Sequence, residues 1–234
     1  MTTLHLIRHG QASAGAANYD VLSARGREQA HHLGTWWRDR GVGLDAAFTG
    51  TLERQRHTAD IALEAAGLAP ERRVHADLDE YDHRAVDLHV GDRIERAPGG
   101  DDPEGASAAP VNPESMSFAD YALVMRRWRD APALPEGLEP WDAFAARGWA
   151  AMHELAASLP AGSRAACFTS GGVISTALAT VLDLDFEHAI DAIWRIRNAS
   201  ITTLDLGGDR PRLVEFNVVS HLEVHADPAL VTLI

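Results

Sequence analysis

Residues near the start of the chain could perform nucleophilic chemistry. Residues 4–7 have the composition of a short buried strand, and Arg8, His9 and Gly10 follow them directly. An imidazole is a potential nucleophile, and a guanidinium is a permanent cation that binds anions. Ligands bind at the carboxyl ends of strands in open α/β sheets, and glycine lets the backbone approach a ligand closely. The segment indicates a reactive strand end, although such a tripeptide alone is more often an ordinary surface feature.

Two later segments carry ionisable residues at comparable positions. Arg54 lies in the first turn of a predicted helix over about residues 52–66. The helix dipole disfavours a cation there, so the position makes sense if an anion shares the space, since helix N-termini bind anions. A predicted strand over residues 74–78 is followed by acidic residues, among them Glu80. The alternatives are an exposed arginine and one acid among many in an acidic protein.

A glycine turn forms the fourth segment of interest. A predicted buried strand over residues 164–169 leads through Ser170, Gly171 and Gly172 into a predicted helix over residues 173–181. Two glycines between a strand and a helix are typical of a turn whose backbone amides bind an anion. The alternative is a turn that serves packing only.

The composition limits the function classes. The formal net charge of −13 repels nucleic acid and anionic membranes, so we expect neither as a partner. All 21 basic residues are arginines, which excludes lysine Schiff-base chemistry and a Walker-type phosphate loop. Cys167 is the only cysteine, and neither a signal segment nor a membrane-spanning apolar run is visible. We therefore expect a cytoplasmic protein.

Strand and helix patterns alternate along most of the chain and would position these residues. The predicted strands after the first are residues 44–48, 74–78, 164–169, 201–206 and 213–219. The predicted helices are residues 24–40, 52–66, 118–129, 141–159 and 173–181. This alternation predicts an α/β fold of three layers, with a mostly parallel sheet covered by helices on both faces. The last two strands flank a glycine turn and are expected to pair antiparallel.

One stretch interrupts the alternation. Residues 91–113 are rich in Gly, Pro, Ala and Asp and carry no strand or helix pattern. A predicted helix and several prolines follow them. We interpret about residues 91–140 as a helical and loop insertion that caps the site, within a single α/β domain of residues 1–234.

Together the segments resemble the histidine phosphatase superfamily, also called the phosphoglycerate-mutase-like family. Residues 6–11, which read Leu-Ile-Arg-His-Gly-Gln, are the most specific part. Residues 22–30 are similar to the family's Leu-Thr-x-x-Gly-x-x-Gln-Ala segment, and residues 52–59 to its Leu-x-Arg-Ala-x-x-Thr-Ala segment. Residues 78–80 resemble the segment that carries its acid. The resemblance spans nearly the whole chain apart from the insertion.

The resemblance implies a metal-independent phosphatase without a cofactor, acting on a small phosphorylated metabolite. His9 would be the nucleophile that forms a phosphohistidine, kept uncharged by the neighbouring cations of Arg8 and Arg54. Glu80 would protonate the leaving alcohol and later activate water. The residues implied to bind the phosphoryl group are Arg8, Arg54, Gln11, Ser170 and Gly171.

Serine stands where the family has a second histidine. The family pattern there is Ser-His-Gly-Gly, whereas residues 169–172 read Thr-Ser-Gly-Gly, with Ser170 in the histidine's place. Losing one stabilising donor costs on the order of 10²–10³ in rate, so a catalytically weak or inactive phosphate-ester binding protein is the alternative function. A replacement histidine could come from His83, His57 or His221, although each is more often structural.

Three further alternatives are weaker. Asp79 and Asp82 are rival carboxylates to Glu80, which the register favours. A mutase needs a basic cluster for a second phosphate, and none is visible. The 12 histidines do not follow metal-ligand spacings such as His-Glu-x-x-His, so a metallohydrolase is disfavoured and no metal is expected. The expected partner is a small-molecule phosphate ester, and the oligomeric state stays open.

Overall fold

The computed structural model of this protein describes residues 2–13, 20–90 and 117–233. The chain divides into two compact units, Met1–Glu80 with Ala145–Ile234, and Tyr81–Phe144. Residues 91–116 of the insertion expected at about 91–140 lie outside the described residues. The insertion, its capping role and the single-domain organisation therefore stay predictions.

Six strands form one sheet in the larger unit. They are β1 (Thr3–Arg8), β2 (Ala46–Thr49), β3 (Glu71–Val74), β4 (Arg164–Thr169), β5 (Ile201–Asp205) and β6 (Arg212–Val218). The spatial order is β3-β2-β4-β1-β5-β6, with the first four strands parallel and the last two antiparallel to their neighbours. Arg8 pairs with Thr169, so the central strands β1 and β4 end side by side. The mostly parallel sheet and the antiparallel final pair are both confirmed.

Eight α-helices lie in the described part of the chain. They are α1 (Ala24–Asp39), α2 (Glu53–Ala66), α3 (His83–Val90), α4 (Phe118–Arg129), α5 (Trp141–Ala157), α6 (Gly171–Leu182), α7 (Phe186–Arg195) and α8 (Ser220–Glu223). The predicted helices are all present, within a few residues at their ends. Ser23 caps α1 by accepting a hydrogen bond from the Gly26 amide. None of these helices is long and apolar enough to cross a membrane.

Helices cover both faces of the sheet. One face packs against α1 and α2 through a buried cluster that includes Ile7, Leu33, Trp37, Ala59, Ala62 and Phe168. Leu6, Phe48 and Cys167 alternate with this set along the strands, so they point to the opposite face. They are fully buried as well, which confirms the three-layer arrangement. Burial raises the pKa of the Cys167 thiol to about 12, so it stays protonated within the core.

The strand predicted over residues 74–78 is wrong. The third strand comprises Glu71–Val74, and Ala76–Leu78 forms a single 3₁₀ turn. As an edge strand it leaves the side chain of Arg72 exposed, so it lacks the apolar pattern that reveals a buried strand. Glu80 consequently follows a turn rather than a strand.

Aromatic side chains form the core of the smaller unit, which includes α3 and α4. The Tyr81 and Trp128 ring centroids lie 4.8 Å apart, and those of Trp128 and Trp141 lie 5.4 Å apart. Phe144 is fully buried against the same rings. The indole nitrogen of Trp128 donates to the carbonyl oxygen of Glu139, which satisfies its buried polar group.

Candidate active site

His9 is the first residue beyond β1, and its backbone is held from two sides. Its amide donates to the carbonyl oxygen of Thr169 at 2.9 Å. Its carbonyl oxygen accepts from the Ala199 amide and from the side-chain amide of Asn198, each at 3.2 Å. Only 5% of His9 is exposed. The imidazole therefore has a fixed position at the carboxyl edge of the sheet.

Hydrogen bonds assign the tautomer of the His9 ring. The Nδ1 atom lies 2.8 Å from the carbonyl oxygen of Gly10, which can only accept, so Nδ1 carries the hydrogen. The Nε2 atom accepts from the Nε–H group of Arg54 at 3.2 Å. A ring that donates at Nδ1 and accepts at Nε2 is neutral, and its lone pair is on Nε2.

The pKa of His9 is held well below its usual range. Burial is the largest cause, because it removes water from the charged ring, and the cations of Arg54 and Arg8 lower the pKa further. The hydrogen bond to the Gly10 carbonyl opposes them. The sequence indicated the two arginines but not burial, which contributes most. The imidazole is uncharged at neutral pH, as a nucleophile must be.

The side chain of Asp20 contacts both Arg54 and the first backbone amide of α2. The Arg54 guanidinium donates to Asp20 Oδ1 at 2.7 Å, and Asp20 Oδ2 accepts from the Glu53 amide at 2.7 Å. In this structure the Asp20 carboxylate is therefore the anion beside this helix N-terminus, and phosphate binding by Arg54 stays a prediction. No local pattern indicated Asp20, because it precedes Arg54 by 34 positions and only the fold brings the two together.

Arg8 lies next to the beginning of α6. Its guanidinium donates to the carbonyl oxygens of Ile196 and Leu233. A Cβ atom at Gly171 would lie 3.6 Å from its Nε atom, in ordinary van der Waals contact. The structure therefore places Arg8 beside Gly171, and phosphate binding by the two residues stays a prediction.

Gln11 is fixed against the start of α1. Its amide donates to Gln29 Oε1 at 2.8 Å, and its side-chain oxygen accepts from the Ser23 hydroxyl at 2.9 Å. A Cβ atom on Gly26 would overlap the backbone of Gln11, so glycine is required for this close approach. Gln11 lies two residues after His9 and is held by these bonds, and its contact with phosphate stays a prediction.

Glu80 reaches the beginning of α6, whereas its two rivals hold local structure. Glu80 Oε2 accepts from the Gly172 amide at 2.9 Å. Asp79 accepts from the amide and the hydroxyl of Thr51, which closes the turn before α2. Asp82 accepts from a backbone amide in the first turn of α3. Of the three carboxylates, the geometry favours Glu80 as the one beside the glycine turn.

The glycine turn differs from its prediction. The helix α6 begins at Gly171 rather than at residue 173, so both glycines belong to its first turn. The Gly172 amide donates to Glu80 Oε2, and binding of an external anion by the turn stays a prediction. Ser170 precedes the helix and is fully buried. The predicted amide cradle therefore has the Glu80 carboxylate as its partner in this structure.

The three histidines considered as replacements for a second histidine lie in different environments, and replacement by any of them stays a prediction. The side chain of His57 on α2 is half-buried, and its Nδ1 atom lies 3.6 Å from Glu53 Oε1. His221 is buried, and desolvation lowers its pKa to about 3, so it is uncharged and cannot supply a positive charge. His83 is the first residue of α3 in the smaller unit.

Within residues 2–13, 20–90 and 117–233, no three His, Cys, Asp or Glu side chains are grouped to hold a metal ion.

Comparisons with known proteins point to one family. A family model described as the histidine phosphatase superfamily (branch 1) matches residues 4–116 and 112–219. A 2,3-bisphosphoglycerate-dependent phosphoglycerate mutase of Thermobifida fusca is 40% identical over 74 residues, which are 29% of this chain and only 30% of that protein. The probable phosphoglycerate mutase GpmB of Klebsiella pneumoniae is 27% identical over 217 residues, which cover 88% of this chain and 85% of that protein.

A solved structure agrees with the sequence matches. The native structure of the mycobacterial glucosyl-3-phosphoglycerate phosphatase Rv2419c is 25% identical to this chain, with a TM-score of 0.60. The superposition covers 92% of this chain and 98% of the mycobacterial chain.

Proposed function

Because this chain belongs to the histidine phosphatase superfamily (branch 1), we propose that it is a phosphomonoesterase that hydrolyses a small phosphorylated metabolite through a phosphohistidine. One observation carries the proposal. The neutral His9 ring has its lone pair on Nε2, and this atom lies 3.2 Å from the Nε atom of Arg54. A nucleophilic nitrogen in contact with a guanidinium suits attack on a phosphoryl group, because the cation stabilises the charge that develops.

In the first half of the reaction His9 accepts the phosphoryl group. The Nε2 lone pair attacks phosphorus, and the bond between phosphorus and the leaving oxygen breaks. Protonated Glu80 gives its proton to that oxygen, so the product leaves as a neutral alcohol. Arg54 and Arg8 turn their donors to the phosphoryl oxygens, and Ser170 donates its hydroxyl hydrogen to the same group.

In the second half, water releases the phosphoryl group. Glu80, now a carboxylate, accepts a proton from a water molecule whose oxygen attacks phosphorus. The bond between phosphorus and Nε2 breaks, inorganic phosphate leaves, and neutral His9 and protonated Glu80 are restored. No metal or other cofactor takes part in this scheme.

A phosphatase suits this chain better than a mutase. A mutase must hold a second phosphate, which calls for an additional basic cluster, whereas the chain is strongly acidic with a net charge of −13. The name of the mycobacterial relative gives a phosphatase that acts on a glycosylated phosphoglycerate. A small phosphate ester is accordingly the proposed partner. The expectations of a cytoplasmic location and of no nucleic-acid or membrane partner stay predictions.

Ser170 favours a second candidate function. A serine hydroxyl carries no positive charge, so this site lacks the cation that a second histidine would supply. A protein that binds a phosphate ester at Arg8, Arg54 and His9 with little turnover is the alternative.

Hydrolysis of p-nitrophenyl phosphate separates the two functions. We expect wild-type protein to release phosphate and His9→Ala to lose at least about 10³-fold in rate, because the nucleophile is absent. His31→Ala, at an exposed histidine on α1, should match the wild type. Vanadate should raise the melting temperature under both functions. Equal rates for wild type and His9→Ala would exclude a mechanism through phosphorylated His9 and would favour the binding function.

A further inference from the structure

A buried glutamine joins three segments of the proposed site. Gln55, in the first turn of α2, is fully buried. Its side-chain nitrogen donates to the hydroxyl oxygen of Ser170 at 2.9 Å and to the carbonyl oxygen of Leu78 at 3.1 Å. One amide group therefore connects the helix that carries Arg54, the residue before α6 and the segment that leads to Glu80.

The bond to Leu78 restrains the approach to the proposed acid. The Leu78 carbonyl oxygen also accepts from the Thr169 hydroxyl at 2.6 Å. Arg147 donates to the carbonyl oxygen of Asp79 at 2.9 Å. The two residues before Glu80 are thus held by side chains of α2, β4 and α5. A carboxylate on a restrained backbone keeps its distance to the leaving oxygen constant.

The bond to Ser170 determines how its hydroxyl can be used. Because Gln55 donates in this pair, the Ser170 oxygen is the acceptor, and its own hydrogen is not part of the bond. Across residues 2–13, 20–90 and 117–233, the Ser170 side chain makes no other hydrogen bond and does not cap α6. The hydroxyl hydrogen is therefore available to an acceptor such as a phosphoryl oxygen.

The oxygen of Gln55 shows that packing alone does not explain this residue. Its Oε1 atom is buried and, in the described part of the chain, has no hydrogen-bond partner. An unpaired buried oxygen destabilises the fold, and an apolar side chain of similar shape would avoid that penalty. The benefit of an amide here lies in the two hydrogen bonds that its nitrogen donates.

We propose that Gln55 is a positioning residue that orients the Ser170 hydroxyl toward the transferring phosphoryl group and holds the segment that carries Glu80. The proposal rests on the phosphatase function proposed above. Gln55 also occupies the space beside residue 170, and both side chains are fully buried. A larger side chain at position 170 consequently needs a smaller one at position 55.

Replacing Gln55 by methionine separates positioning from packing. Methionine keeps a similar volume and removes both donated bonds, while Leu78 retains its bond from Thr169. We expect Gln55→Met to lower kcat on p-nitrophenyl phosphate about 10-fold with little change in KM, and to keep or raise the melting temperature. Ser170→Ala should lower kcat by a similar factor. The double variant with Gln55→Met should have nearly the same kcat as Ser170→Ala alone, because both changes disrupt the same arrangement of Gln55 and Ser170.

The control removes a buried hydroxyl elsewhere on α6. Thr176 is buried and donates to the Val173 carbonyl, so Thr176→Val should leave kcat unchanged. A Gln55→Met variant with wild-type kcat, or with a lower melting temperature and unchanged kcat, would overturn the proposal in favour of a purely structural role.

A double-mutant cycle tests the shared space. We expect Ser170→His to lower both the melting temperature and the rate, because the histidine meets Gln55. Adding Gln55→Ala should recover the melting temperature and raise the rate at least about 10-fold above Ser170→His. Additive effects would overturn the coupling. If wild type shows no turnover that depends on His9, the proposed function fails, and the melting temperatures of the cycle with and without vanadate still report on the Gln55–Ser170 pair.

Discussion

The Nε–H group of Arg54 donates to the Nε2 atom of His9 across 3.2 Å. The two residues are 45 positions apart in the chain, and the order of the strands brings them together, since β2 leads into α2 and β1 leads into His9. The contact fixes the tautomer of the ring and adds to the burial that lowers its pKa. It also places a cation where a phosphoryl group bonded to Nε2 would carry its charge.

Replacing Arg54 by glutamine should affect both the rate and its pH dependence. We expect a loss on the order of 10²–10³ in kcat/KM, because a stabilising donor is removed. Removing the cation also raises the pKa of His9 toward its usual range, since one cause of the depression is lost. The ring is then protonated at higher pH, so the acidic limb of the kcat/KM profile should move to higher pH. An unshifted limb would show that Arg54 does not act on the ionisation of His9.

Exchanging the neighbouring carboxylates identifies the acid. Glu80→Gln keeps an acceptor for the Gly172 amide and should lower kcat about 10²–10⁴-fold with little effect on the melting temperature. Asp79→Ala removes the acceptor of the Thr51 amide and hydroxyl. It should lower the free energy of unfolding by about 1–3 kcal/mol and affect kcat far less. The opposite pattern in steady-state kinetics and urea unfolding would assign the acid to Asp79.

Buried His221 makes the fold sensitive to acid. Its pKa is about 3 in the folded protein and about 6.5 when unfolded, so the unfolded chain binds the extra proton between these values. Above about pH 6.5 His221 does not lower the free energy of unfolding. Below that pH, this residue lowers the free energy of unfolding by about 1.4 kcal/mol per pH unit down to pH 3. Urea unfolding at several pH values measures how the free energy of unfolding depends on pH. Between pH 3 and 6.5 the slope for His221→Leu should correspond to about one proton fewer than the slope for wild type.

The neighbouring Leu222 provides the control for that experiment. It is fully buried and does not ionise, so Leu222→Ala should lower the free energy of unfolding by a similar amount at every pH. Parallel pH curves for wild type and His221→Leu would contradict the assignment.

The turn between β1 and α1 depends on the contact between Gly26 and Gln11. A Cβ atom on Gly26 would overlap the Gln11 backbone, so Gly26→Ala should lower the free energy of unfolding by about 1–3 kcal/mol and weaken vanadate binding. A Cβ atom added at Gly43 would meet no atom within 4 Å. The free energy of unfolding of Gly43→Ala should therefore stay within about 0.5 kcal/mol of wild type. Thermal unfolding of both variants, with and without vanadate, measures the difference.

Local patterns predicted those elements whose side chains repeat in a regular way. The strand over Arg164–Thr169 and the helix over Phe118–Arg129 have the predicted bounds, because each carries a continuous apolar run or a helical repeat. The strand Glu71–Val74 and the helix Phe186–Arg195 were not predicted. The strand is held by its pairing with β2, which is a contact between distant segments.

By itself, the sequence determined the chemical groups of this protein: an imidazole and a guanidinium at a strand end, a second arginine at a helix start, and a serine before two glycines. Only the tertiary structure decided how these groups meet. It paired Arg54 with Asp20 as well as with His9, directed the Gly172 amide to Glu80, and placed Gln55 between Ser170 and Leu78. Residue types are local information, whereas burial and hydrogen-bond partners depend on segments that only the folded sheet brings together.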